Sequence, residues 1–256
     1  MKKLLPLITL LFLCSELQAG TFYRYRISSD GPLALDIESQ VWIEGDRRRV
    51  ELLLEDGSPR SYDLAISRDG GSIWTRVNRQ NGTFFRSDEE GRGASGPGNN
   101  STLFQLPVGP KQSSDRFVVE ELPPVPGDEI AGRTTTRHEL RFSYRLRATL
   151  GGTPLAGRVE CTIIRWTTPD LPSPREIPLT TRVLEIDRRI AAWRLATGPE
   201  LREDVTITRT IDGGPAIREQ RSFLVLEIDE RDLEPSLFEI PSGLEHRLPV
   251  IGGPGL

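Results

Sequence analysis

The chain has 256 residues, 36% of them hydrophobic and 27% charged, with 24 glycines, 20 prolines and a formal net charge of −4. That mild acidity argues against a nucleic-acid binder, which needs a basic surface. Two cysteines, Cys14 and Cys161, cannot staple a small scaffold, so stability has to come from a core, and a chain of this length buries roughly 70–75% of its unfolded surface.

The first 19 residues read as a secretory signal peptide: Lys2 and Lys3 form a basic start, Leu4 to Leu13 an apolar run too short to span a bilayer, and Ala19 a small residue before the cleavage point. A lipoprotein signal would instead anchor Cys14, but it asks for a small residue just before the cysteine, and Leu13 stands there. Cleavage after Ala19 removes Lys2, Lys3 and Glu16, two positive charges and one negative, which takes the net charge from −4 to −5. It leaves Cys161 alone, with no partner for an intramolecular disulfide. The expected location is periplasmic or secreted, with residues 20–256 as a single domain.

Strands follow at once. Phe22 to Ser28 alternates Tyr23, Tyr25 and Ile27 with Arg24 and Arg26, and Leu33 to Glu44 alternates in the same way. The turn Glu44-Gly45-Asp46 returns the chain along Arg47 to Leu54. Tyr62 to Ile66, Ile73 to Val77 and, after the tight turn Asn81-Gly82, Thr83 to Arg86 complete a meander of about six antiparallel strands. Ser87 to Ser101 is Gly-, Asn- and charge-rich and reads as a loop. Phe117 to Leu122 is a short strand before the turn-rich stretch PPVPGDEIAG.

Thr134 to Leu150 carries the strongest pattern in the chain. His138, Leu140, Phe142, Tyr144, Leu146, Ala148 and Leu150 alternate with Arg137, Glu139, Arg141, Arg145 and Arg147, so one face is apolar and the other carries four arginines. Gly151-Gly152 turns it into Leu155 to Thr168, the second arm of a long hairpin. At ~3.3 Å per residue the first arm spans on the order of 55 Å, which predicts a bend, a bulge or a wrap. Leu179, Val183, Ile186, Ile190 and Trp193 recur at helical spacing, with Pro178 before and Gly198-Pro199 after, predicting a helix over 179–196. Val205 to Ile211 and Ile217 to Ile228, joined by Asp212-Gly213-Gly214, form the last hairpin.

Four short motifs carry a resemblance: W-I-E-G-D-R-x-R at Trp42 to Arg49, I-A-G-x-x-T-x-R-H at Ile130 to His138, W-T-T-P-D at Trp166 to Asp170 and S-L-F-E-I-P-S-G at Ser236 to Gly243. Their order resembles an uncharacterised family of secreted bacterial proteins that is similar to the periplasmic lipoprotein-localisation (LolA/LolB-like) carriers. The resemblance implies a mainly β fold: a curved antiparallel sheet, an open half-barrel of about ten strands, with one helix and loops on an apolar concave face that in the carriers holds acyl chains. The chain departs from the carriers in having no helix before its first strand, and no functional residue transfers from the family.

Enzymatic signatures are thin. Gly91 to Gly96 matches G-x-G-x-x-G, but a phosphate-binding turn needs a helix start there, and Gly-Pro-Gly-Asn-Asn follows. His138 and His246 are the only histidines, too few for a His-rich metal centre, and the acidic run Glu227 to Glu234 lacks calcium-loop spacing. His138 and Cys161 both sit in apolar rows, where a structural histidine and an inert thiol are the default. Thirty arginines against Lys111 in the processed chain are spread among Glu and Asp and read as compositional bias.

What remains is surface accounting. If Leu35, Ile37, Val41, Val50, Leu52, Leu64, Ile66, Leu140, Phe142, Tyr144 and Leu146 share the concave face, either the helix and loops fill it completely or it receives a ligand. The ligand reading places Phe142, Tyr144 and Trp193 at the centre of the site, with Leu140, Leu146, Leu35 and Leu52 around them, no catalytic residues, no metal and no cofactor. Its ligand is a lipid or lipoprotein acyl chain. The alternative is an envelope interaction protein that adds a partner's strand to its open sheet edge.

Overall fold

The computed structural model describes residues 19–30, 34–53, 62–86, 113–150, 153–174 and 184–247. Residues 1–18 of the expected signal peptide, the expected loop at 87–101 and residues 179–183 of the predicted helix lie outside them.

Alternation is converted into one open sheet. The strands are β1 Gly20–Ser29, β2 Leu35–Glu44, β3 Arg47–Leu53, β4 Leu64–Ser67, β5 Thr75–Asn78, β6 Thr83–Arg86, β7 Ser113–Pro126, β8 Thr136–Leu150, β9 Thr153–Thr167, β10 Glu200–Ile211, β11 Ala216–Arg231 and the two-residue β12 Glu245–His246. Their spatial order is β12-β6-β5-β4-β3-β2-β1-β11-β10-β9-β8-β7. Every pairing is antiparallel except β12 with β6. Two meanders, β1–β6 and β7–β11, meet where β1 pairs with β11. One helix, α1 (Leu184–Thr197), lies in the connection between β9 and β10. It ends at Gly198, whose φ of 83° suits a residue without a Cβ.

The β8–β9 ladder runs unbroken through fifteen pairs, from Thr136 opposite Thr167 to Leu150 opposite Thr153. Of the bend, bulge or wrap expected of the long strand, no bulge interrupts its pairing with β9; register shifts fall instead in its other neighbour β7, between Asp115 and Val118 and between Leu122 and Val125. A second difference follows. Pro123, Pro124 and Pro126, read as turn residues, belong to β7. Proline removes a ladder donor, and an edge strand is where that loss is tolerated. The same prolines blunt the edge against strand addition, and at the other margin β12 offers only two residues.

Register decides which side chains share a face. Cross-strand rows run Tyr144–Val159–Arg209–Ile217, then Phe142–Cys161–Ile207–Glu219, then Leu140–Ile163–Val205–Arg221, then His138–Arg165–Glu203–Phe223. Ile186, Ile190 and Trp193 of α1 pack on these rows in one buried cluster, so this is the helix face. The opposite face has its own cover, because Leu233 and Phe238 of the C-terminal segment pack on Phe22 and Trp42. Leu244 of that segment packs on Leu64, Ile66 and Val77. Leu64 and Ile66 were expected on the helix face. Ala65, not they, stands opposite Val50, and a one-residue offset flips every side chain.

Candidate functional site

The apolar rows of β8, β9 and β10 and the inward side of α1 enclose the candidate site. Leu140, Phe142 and Tyr144 project from β8, Val159, Cys161 and Ile163 from β9, and Val205 and Ile207 from β10. One fourteen-residue helix closes them with three buried side chains, Ile186, Ile190 and Trp193. Phe142 stacks on Tyr144 with ring centroids 6.4 Å apart, and Phe117 of β7 tilts against Phe142 from the edge side.

Of the seven predicted ligand-binding residues, Leu140, Phe142, Tyr144 and Trp193 come together here, all buried. Leu52 lies on the same face but packs with Tyr62, Ala65 and Trp74, four strands away from β10 and apart from the helix cluster. Leu35 pairs with Ser29 and Leu146 with Gly157, so both backbones are placed; their side chains lie outside the described residues.

Polar atoms inside this chamber are its unusual feature. Tyr144 is 1% exposed, and its Oη has no hydrogen-bond partner among the described residues. The Trp193 Nε1 donor and the Arg209 Nε donor are buried in the same condition. Unsatisfied buried donors are costly, and each calls for an acceptor. Burial pushes the Tyr144 phenol above its ordinary range, and it raises the Cys161 thiol to about 12, with Glu203 adding to the shift. Cys161 is therefore an inert thiol. His138, half-buried in the row of Arg165, is held below its usual value by burial and then by the Arg165 charge.

The sequence reading missed a buried ionic clamp at the C-terminal end of α1. Arg165 Nη1 donates to the Arg194 carbonyl at 3.0 Å and to Thr197 Oγ1 at 2.5 Å, and Nη2 donates to the Gly198 carbonyl at 3.2 Å and to Glu200 Oε2 at 2.6 Å. Its Nε lies 3.2 Å from Glu203 Oε2, and Arg194 donates to Glu203 Oε1 at 2.6 Å. The guanidinium also lies over the Trp193 ring at 5.7 Å. One side chain thus adds to the bonds that the Arg194 carbonyl accepts from the Gly198 N–H and Thr197 Oγ1, takes up the Gly198 carbonyl just past the helix, and pins α1 to β9 and β10. The signal was present: Arg165, Glu203, Glu219 and Arg221 all have the parity of the buried rows.

A second concavity, about 770 Å³, lies on the opposite face and is lined among others by Ser28, Asp36, Asp204, Thr206 and Ser222. Its carboxylates are taken up internally: Asp204 accepts from Ser222 Oγ at 2.6 Å and from Arg202 Nη2 at 2.6 Å, and Asp36 is held by Arg26. Its lining mixes polar and apolar groups and shares only Val205 with the helix-face cluster. Among the described residues no three of His, Cys, Asp and Glu converge as metal ligands, and no helix is long and apolar enough to cross a membrane. The acidic run of β11 is spent on strand-end ion pairs, Glu227 with Arg24 and Glu230 with Arg133.

No family model matches the chain, and no curated protein matches it. Two solved structures are similar in shape. A LolA superfamily protein from Nitrosomonas europaea is 12% identical with a TM-score of 0.35, the match covering 87% of this chain and 91% of that one. PNGF-II is 10% identical with a TM-score of 0.37, covering 89% of this chain and 30% of that one.

Proposed function

We propose that this protein is a non-catalytic carrier or receptor for an acyl chain or another apolar ligand, held between α1 and the helix face of the sheet. The observation that carries the reading is the cover. Among the described residues, eight apolar side chains of three long strands are closed by three from one helix and, from the edge, by Phe117 and Val119, and the Tyr144 and Trp193 donors there have no acceptor. A ligand entering there exchanges contacts with α1 for contacts of the same apolar kind, and its polar end supplies the missing acceptor. Tyr144 and Trp193 suit such a site because each offers a large apolar face and one donor.

The test is native mass spectrometry of the protein purified from its own compartment, with organic extraction of whatever accompanies it. The expected result is a discrete added mass that extracts as a lipid, displaceable by a fluorescent acyl probe. Protein at its bare mass that also takes up no acyl probe overturns the reading.

A further inference from the structure

The ends of the chamber differ in chemistry. At the α1 C-terminus the charges close on themselves, since Arg165, Arg194, Glu200 and Glu203 pair with one another and with helix carbonyls. At the other end, the row Tyr144–Val159–Arg209–Ile217 leads from a fully buried position to Ile217, which is 49% exposed. This row therefore joins the buried cluster to the exposed surface of β11.

In that row Tyr144 and Arg209 flank Val159, one on each neighbouring strand. Two strand spacings separate their backbones by about 9.5 Å, a gap that a single oxyanion group held between a tyrosine and an arginine side chain spans. Both present buried donors, Tyr144 Oη and Arg209 Nε, that no acceptor among the described residues fills. Arg209 is fixed in place by its other branch, because Nη1 donates to Glu219 Oε2 at 2.9 Å. Glu219 is itself shared with Arg221, so its charge is already divided between two guanidiniums. The carboxylate that acts on Tyr144 is Asp187, which belongs to α1 and has an interaction of its own.

We propose that Tyr144 Oη and Arg209 Nε together receive the anionic oxygen head of a single-chain acyl ligand, such as a long-chain carboxylate. The hydrocarbon then runs from Val159 past Phe142 and Cys161 toward Leu140 and Ile163. Each donor has only a proton to offer, so the chemistry selects an acceptor and rejects a cationic head; hydrogen bonds to a charged acceptor are roughly twice as strong as neutral ones. From the Tyr144 row to the Leu140 row the apolar track is ~13 Å, at ~3.3 Å per residue.

This inference rests on the acyl-chain reading, and the experiment separates the two. Dodecanoate, dodecan-1-ol and dodecyltrimethylammonium are titrated into the full chain by displacement of a fluorescent acyl probe, with the Tyr144→Phe and Arg209→Gln variants alongside. The expected result is dodecanoate binding about tenfold to a hundredfold more tightly than the alcohol, the cation weakest, and the acid–alcohol ratio shrinking toward unity in each variant. Equal binding of all three to the unaltered protein overturns the head-group inference and leaves the apolar chamber standing. Binding of none overturns both. If Arg209→Gln does not fold, Tyr144→Phe, which keeps the ring and its packing, decides alone: an undiminished preference for the acid removes Tyr144 from the site and refutes the proposal.

Discussion

Replacing Arg165 with Met tests whether α1 is held by the ionic clamp or by its apolar side. Methionine keeps the unbranched stem and removes the guanidinium. Arg165 and Glu200 have side chains only 3% and 7% exposed, so the substitution takes the Arg165 partner away from the buried Glu200 carboxylate, and Glu203 keeps Arg194. It also removes one of three donors to the Arg194 carbonyl, which keeps the Gly198 N–H and Thr197 Oγ1, and a donor to the Gly198 carbonyl. Breaking a buried pair by removing one partner costs about 3–5 kcal/mol. For a chain of this size that corresponds to a fall of roughly 6–20 °C in midpoint temperature. Urea unfolding gives the free energy directly, and an unchanged slope with denaturant confirms that the native and unfolded states are otherwise comparable. Glu200→Gln in the Met background removes that buried charge and should recover part of the loss, a coupling of about 0.5–3 kcal/mol in a double-mutant cycle. A loss under about 1 kcal/mol, or no coupling, refutes the claim that this network anchors the helix.

Cys161, 4% exposed, should not react with a thiol reagent in the native protein and should react fully once unfolded. Its folded value of about 12 lies above its ordinary 9.0, so the stability it contributes is intact below pH 9.0 and is lost as pH rises toward 12. Tyr23 and Tyr144 are raised in the same direction by burial, so urea midpoints should fall steadily on the alkaline side; a flat profile there would contradict their burial. Phe142→Ala opens the centre of the chamber and should cost about 3–5 kcal/mol in urea unfolding, partly restored by saturating acyl ligand. Gly157→Ala drives a Cβ to 2.6 Å from the Thr210 carbonyl oxygen in the adjacent backbone, so β9 and β10 must separate locally; a loss of about 1–3 kcal/mol is expected in the same assay.

Most of the sheet was legible because alternation and turn chemistry are local. Tyr23, Tyr25 and Ile27, or Leu140, Phe142 and Tyr144, need no partner to announce a half-buried strand, and Asp212-Gly213-Gly214 places its hairpin directly, with Gly213 at a φ of 82°. The helical stripe of Ile186, Ile190 and Trp193 was equally plain. What failed was non-local. The face taken by Leu64 and Ile66 depends on the register of β4 against β3, which the pattern of either strand leaves free. Pro123 to Pro126 read as a turn because proline's missing donor disqualifies it from a central strand, and nothing local marks β7 as an edge. Arg165 and Glu203 were hidden differently: they have the parity of the buried rows, but charge in such a row reads as the end of burial until its counter-charges are known.

The two faces of this sheet are covered by unlike means, and the difference bears on function. On the opposite face the C-terminal segment is tied by its backbone: Arg49 donates to the Leu237 carbonyl at 2.7 Å and Arg68 to the Phe238 carbonyl at 2.8 Å, while Leu233 and Phe238 fill the gap over Phe22 and Trp42. On the helix face Arg165 and Glu203 hold Arg194, Thr197 and Gly198 at the C-terminal end of α1. Toward its other end Ile186 and Ile190 join the buried apolar cluster. Apolar contacts are non-directional, so they can be exchanged for those of a ligand at little cost, whereas breaking the clamp takes a partner from buried charge. If an acyl chain enters as proposed, α1 should yield at the end away from the clamp, on the side of Tyr144, where Asp187 acts on the phenol, and thiol protection at Cys161 should change with it.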